Sequence, residues 1–126
     1  MKKIITTTKA PNPIGPYNQG VLSNGVLYIS GQIPLDPSTM ELIEGDLKKE
    51  TIQVMKNLKA VLDAAEMTFE NVVKSSIFLS DMNNFKEINE VYGTYFNAET
   101  APARETVEVA NLPKFVRVEI SMIAVA

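Results

Sequence analysis

The hydrophobic patterning of this chain predicts an α+β fold, with a mainly antiparallel sheet and two helices covering one of its faces. Period-two alternation of apolar and polar residues flanks the dipeptide Asn24-Gly25 and returns from Val116 to Ala124. Apolar residues recur at helical spacing from Leu47 to Ala65 and again from Phe85 to Phe96. The segments fall in the order β-β-β-α-β-α-β-β, which suits helices packed on one side of a sheet. With 126 residues, one domain over 1–126 is expected, long enough to bury roughly two-thirds of the surface its unfolded form exposes.

Several function classes drop out on composition. The chain carries 12 basic and 15 acidic residues, a net charge of -3, and no basic run longer than Lys2-Lys3. The electrostatic footprint of a nucleic-acid binder is missing. Cysteine is absent, which excludes disulfides, thiolate metal sites and cysteine nucleophiles. Histidine is absent too, removing the commonest general base and metal ligand. Any chemistry here rests on carboxylates, hydroxyls, amides and arginine, and no metal site is expected. No apolar run reaches membrane-spanning length, so the cytoplasm is the default location and no membrane partner is expected.

Lys3 to Thr7 reads as a short first strand. Pro11, Pro13 and Pro16 then hold Ala10 to Tyr17 in an extended course, either as a rigid loop or as a loop delivering Tyr17 to a pocket. Asn24-Gly25 predicts a tight hairpin that pairs Ser23 with Val26, Leu22 with Leu27 and Gln19 with Ser30. Tyr28, Ser30 and Gln32 then share one face, and Leu27, Ile29 and Ile33 the other. After a loop over Pro34 to Gly45, Asp46 is placed to cap an amphipathic helix reaching Ala65. Asn71 to Ser80 reads as a strand with Val73, Ile77 and Leu79 on one face. Asn84 with Glu87 fits a capping box that opens a second helix to about Asn97. Asn89 lies inside the apolar stripe of that helix, where an amide needs partners: a neighbouring loop, or a binding pocket.

Thr106 to Val109 and Val116 to Ala124 are expected to pair directly across the connection Ala110 to Lys114. Hydrophobic matching sets Val109 against Val116 and Val107 against Val118. Arg104, Thr106, Glu108, Arg117, Glu119 and Ser121 then share the opposite face, with Glu108 facing Arg117 and Thr106 facing Glu119. Ile123, Val125, Tyr28 and Phe78 would lie on the same uncovered face, a surface for self-association. Arg104 and Glu119 become diagonal neighbours with two readings. One is an intramolecular salt bridge. The other is a site in which the guanidinium fork holds a small organic acid while Glu119 activates a water and glycine lets the Ser30-Gly31 backbone come close.

The motifs Gly15-Pro16-Tyr17, Tyr28-Ile29-Ser30-Gly31-Gln32, Ala101-Pro102-Ala103-Arg104, Val107-Glu108-Val109-Ala110, Leu112-Pro113 and Val118-Glu119-Ile120 resemble, in order and spacing, the RidA/YjgF family of reactive-intermediate deaminases. The resemblance runs the whole length of the chain. It implies a chorismate-mutase-like fold assembled as a homotrimer with clefts between subunits. It also implies hydrolysis of enamines and imines such as 2-aminoacrylate to 2-keto acids and ammonia without a cofactor, the activity of a 2-iminobutanoate/2-iminopropanoate deaminase. By matching positions, Arg104 would bind the substrate carboxylate and Glu119 would position the attacking water, with Tyr17, Ser30, Gly31 and Asn89 lining the cleft.

Many members of that family carry Ser-Cys after the arginine, where this chain has Glu105-Thr106. The arginine and glutamate are retained, and Thr106 is expected to supply a hydroxyl in place of the thiol. The alternative within the same site is a sensor that binds 2-keto acids without turnover. Ribonuclease activity, attached to some relatives, fits poorly with a histidine-free chain of negative net charge.

Overall fold

In the computed structural model, which describes residues 1–126, Asn24 and Gly25 adopt φ of 51° and 77°. That left-handed pair is what a tight hairpin turn with the strands' own twist demands. It joins β2 (Gly20–Ser23) to β3 (Val26–Gln32) with Ser23 opposite Val26 and Leu22 opposite Leu27, as expected. β1 (Lys2–Ile5) lines the outer edge of β2. Helix α1 (Leu47–Ala64) follows, and Asp46 Oδ1 accepts the Lys49 N–H at 3.1 Å to cap it. Next come β4 (Val72–Leu79), α2 (Phe85–Gly93), β5 (Ala103–Glu108) and β6 (Val118–Val125). No helix is long and apolar enough to cross a membrane.

The sheet order is β1-β2-β3-β6-β4-β5, and this corrects the direct pairing expected of the last two strands. β6 inserts between β3 and β4, antiparallel to both, while β5 lies parallel to β4 on the outer edge. The physical reason is burial. Val118, Ile120, Met122 and Ala124 are all fully or almost fully buried, and only a central strand can place so continuous an apolar row under the helices. β5 keeps an exposed, charged composition that suits an edge. A parallel pair needs a crossover, and α2 supplies it between β4 and β5.

Two bulges shift faces that strict alternation had assigned. Between Ile29 and Gln32, the residues Ser30 and Gly31 share one position of β6, so Gln32 turns inward against Ile120 instead of joining Tyr28. A second irregularity between Val72 and Lys74 turns Val73 out to solvent, away from Ile77 and Leu79. Helix α2 is shorter than predicted. Asn84 is already helical at φ -84° and makes no cap. Asp81 Oδ1 instead accepts the Asn83 N–H at 2.9 Å, at the head of a short 3-10 turn that runs into the helix. Beyond Gly93, Tyr95 and Phe96 leave the helix and close over Phe69, with ring centroids 5.3 and 5.4 Å away.

Leu27, Val54, Met55, Leu58, Val61, Ile77 and Leu79 form the centre of the core between the helices and the sheet. Asn57 is buried among them and fully used. Its Nδ2 donates to the Ile33 and Leu35 carbonyls at 3.1 and 3.0 Å, and its Oδ1 accepts from Gln53 at 2.9 Å. It therefore ties α1 to the chain leaving β3. Asn57→Ala strands two buried carbonyls and should cost about 2 kcal/mol, read as a lower urea midpoint at unchanged slope; a midpoint equal to wild type would show that water replaces the amide.

Candidate active site

Arg104 lies beside Ser75, which in turn faces the buried Met122, so the arginine is on the helix-covered face of the sheet at its open edge. Its guanidinium stands over two α2 rings, 5.6 Å from the Phe85 centroid and 5.1 Å from that of Tyr92. One nitrogen donates to Asn89 Oδ1 at 2.7 Å. Tyr92 is itself fixed, its hydroxyl donating to Ser75 Oγ at 2.9 Å. Asn89, inside the apolar stripe of α2, thus finds its partner in the arginine. The chain's ion pairs are Lys59–Asp63, Lys74–Glu105 and Arg117–Glu50, so Arg104 faces no carboxylate of its own chain. Thr106 borders the same hollow with Met82 and Phe85, and its buried Oγ1 has no hydrogen-bond partner.

Glu119 lies opposite Phe78, whose other neighbour is Val107, and this places it on the uncovered face. The expected register is therefore overturned for the polar residues. Arg104 and Glu119 are on opposite faces with β4 between their strands, which lie about 10 Å apart, and they are three residues out of step along β4. Neither the intramolecular salt bridge nor a one-chain site is possible. Thr106 pairs with Ile77 rather than meeting Glu119, Glu108 Oε1 accepts the Met82 N–H at 2.6 Å, and Arg117 binds Glu50 of α1.

Glu119 closes one wall of a cavity of about 590 Å3 that also takes in Tyr17, Ser30, Gly31 and Lys114. Gly31 is required by contact: a Cβ there would sit 2.7 Å from Glu119 Oε2. Burial raises the Glu119 carboxyl above its ordinary range. Ser30 Oγ donates to the Asn18 carbonyl at 2.5 Å and the Ser30 N–H donates to the Gln19 carbonyl at 3.0 Å, which ties the bulge to the loop before β2. The proline-rich loop does deliver Tyr17 to this wall. Gln19, buried, builds that loop: it accepts from the Thr7 N–H at 2.7 Å and donates to the carbonyls of Thr7, Ala10 and Pro11.

Of the residues singled out from sequence, the chain brings together Arg104, Asn89 and Thr106 in one group and Glu119, Tyr17, Ser30 and Gly31 in another. Gln19, Lys114 and the Phe85–Tyr92 platform escaped the sequence reading. Phe85 and Tyr92 had a signal, since they flank Asn89 at helical spacing. Gln19 had none.

The fold and these two groups define a class: an α+β domain with a stacked arginine anchor on one face and a half-buried carboxylate on the other. The family model described as Endoribonuclease L-PSP matches residues 7–126. The chain is 54% identical to a RutC family protein of Synechocystis, over 98% of this chain and 95% of that one. It is 50% identical to the 2-iminobutanoate/2-iminopropanoate deaminase of Mus musculus, over 99% of this chain and 92% of that one. YyfA from Yersinia pestis, solved as a protein of unknown function of the Rid family, superposes with a TM-score of 0.97 at 48% identity, with 100% of both chains covered. TdcF of E. coli with bound serine superposes at 0.92 and 42% identity, with 98% of each chain covered. This chain belongs to the RidA/YjgF family.

The raised Glu119 carboxyl carries a linkage consequence. The folded state holds that proton more tightly than the unfolded chain, so the contribution to stability is complete below the ordinary value of 4.5 and is lost as pH rises through the raised one. Glu119→Gln removes that loss. Its melting temperature should exceed wild type at about pH 7 and converge on it at about pH 4; an equal offset at both would contradict the assignment.

Proposed function

We propose that this protein is an imine and enamine deaminase, hydrolysing small 2-imino acids and their enamine tautomers, such as 2-aminoacrylate, to 2-keto acids and ammonia. The observation that carries this reading is Arg104: a guanidinium stacked on two rings, oriented by Asn89, with no carboxylate partner in its own chain. Such a fork is pre-organised for a ligand carboxylate and takes it with two parallel hydrogen bonds. The deaminase name of the mouse relative supports the reaction class, and the serine held by TdcF is a small molecule with a carboxylate.

Because Arg104 and Glu119 face opposite ways, a complete site needs a second copy of the chain. We assign the assembly as a homotrimer with one cleft per subunit junction. Exposed Tyr28, Val73, Val107 and Val125 on the open face give the apolar surface that such packing would bury. In each cleft, Arg104 and Asn89 of one subunit hold the substrate carboxylate, with the Thr106 hydroxyl beside them, over the Glu119 cavity of the next. Tyr17, Ser30 and Gly31 line the facing wall.

Glu119 then accepts a proton from the water whose oxygen bonds to the imine carbon. The resulting carbinolamine takes that proton on nitrogen; its hydroxyl then gives its own proton to the freed Glu119 carboxylate as the C–N bond breaks, so that ammonia leaves and the carbonyl forms. An enamine first gains a proton on its terminal carbon. A carboxyl raised by burial suits both halves, since it takes up the proton more readily than a free carboxylate and can still return it.

The test mixes two inactive variants. Arg104→Ala and Glu119→Gln should each lose at least about a hundredfold in keto-acid release from imines generated in situ. Co-refolded in equal amounts, they should regain about a quarter of wild-type activity, the share of junctions with both groups intact in a cyclic trimer. Light scattering should give the trimer mass. No regained activity would sink the shared cleft, and tight 2-keto-acid binding with no turnover would select a sensor instead.

A further inference from the structure

Ser75 is too deep in the protein to touch a substrate, yet it lies beside Arg104 in the sheet. We propose that Ser75 and Tyr92 are positioning residues for Arg104: their buried hydroxyl pair sets the plane of the guanidinium, and through it the affinity for a ligand carboxylate. The inference rests on the deaminase reading, which gives Arg104 that ligand.

Packing alone does not call for a serine here. The other inward residues of β4, Val72, Ile77 and Leu79, are apolar, and a hydroxyl among them costs free energy unless it is hydrogen-bonded. Ser75 Oγ accepts from the Tyr92 hydroxyl at 2.9 Å, a bond between the sheet and α2 made by two buried side chains. The topology brings them together. Helix α2 is the crossover from β4 to β5, so Tyr92 packs over the strand pair that carries Ser75 and Arg104.

The bond fixes a ring on which the arginine stands. Phe96 leans on Tyr92 with its centroid 4.8 Å away, and the hydroxyl ties the far end of the ring to the sheet. The Arg104 guanidinium lies 5.1 Å from the Tyr92 centroid, against 5.6 Å for Phe85, which is half-buried and has no polar tip to anchor it. Arg104 itself is exposed, and a long side chain left free must give up its rotamers when a ligand binds. A fork that meets both oxygens of a carboxylate gains from being ordered beforehand. The phenol also stays neutral, because burial pushes it above its ordinary value, so it does not draw off the charge of the guanidinium.

Arg104 and Arg117 are the two arginines of the chain, and this gives the test an internal control. Nitrogen relaxation of the arginine Nε–H groups by NMR is compared in wild type, Ser75→Ala and Tyr92→Phe, the last of which keeps the ring and removes only the hydroxyl. Calorimetry measures the affinity of each for 2-oxobutanoate. In both variants Arg104 should become more mobile while Arg117, clamped by Glu50, does not change. Affinity should fall about fivefold, the scale of ordering one long side chain. Because the two hydroxyls share one bond, the double variant should lose no more affinity than either single one. A lower melting temperature with Arg104 order and affinity unchanged would mean a structural bond only and overturns the proposal, as does lost affinity with Arg104 order unchanged. Keto-acid release by wild type judges the deaminase reading separately. If wild type binds 2-oxobutanoate and the variants behave as expected but no imine is hydrolysed, the reaction fails and the positioning stands. A wild type that binds no 2-oxobutanoate refutes both.

Discussion

The central position of β6 is the constraint on which the rest of the structure depends. Hydrogen-bonded on both sides, the strand cannot slip by one residue without turning Val118, Ile120 and Met122 out of the core. Each such side chain is worth roughly 1.5–3 kcal/mol in burial, so the register is held by several times the energy of any ion pair on the surface. Glu119 is carried to the open face by that register rather than by any interaction of its own. The same insertion pushes β5 to the edge and turns Arg104 back toward α2.

The site is then assembled from features that each have a local cause. The bulge at Ser30 and Gly31 brings backbone against the Glu119 carboxylate, and only glycine leaves the space. Gln19 folds the proline-rich loop onto the sheet and so sets Tyr17 at the cavity wall. On the other side, Phe85, Asn89 and Tyr92 lie three to four residues apart on one helix and form a platform on which a planar guanidinium stacks. Arg104 is thus oriented before any ligand arrives, which reduces the ordering cost of binding.

Much of this was legible in the sequence. The Asn24-Gly25 turn, the Asp46 cap and the stripe of α1 are short-range features whose physics is contained in a few neighbouring residues, and they appear where expected. Misassigned features share a different property. Val73 and Gln32 changed face because bulges insert a residue that alternation does not show. Asn84 lost its capping role because the chain was already helical through the preceding turn. The pairing of the last two strands was misplaced because adjacency in sequence favours a hairpin, whereas the exposed residues of β5 belong at an edge.

Residue identity by itself determined the chemistry available here. Without cysteine or histidine, the reactive groups are carboxylates, hydroxyls, amides and guanidinium, and Arg104 and Glu119 stand out among them through their motifs. What the tertiary structure decided is how these two are related. A strand between theirs and the opposite parity of their positions set them on different faces, so no single chain unites them. Pairing partners are chosen by burial summed over the whole sheet, a long-range balance that no local spacing encodes.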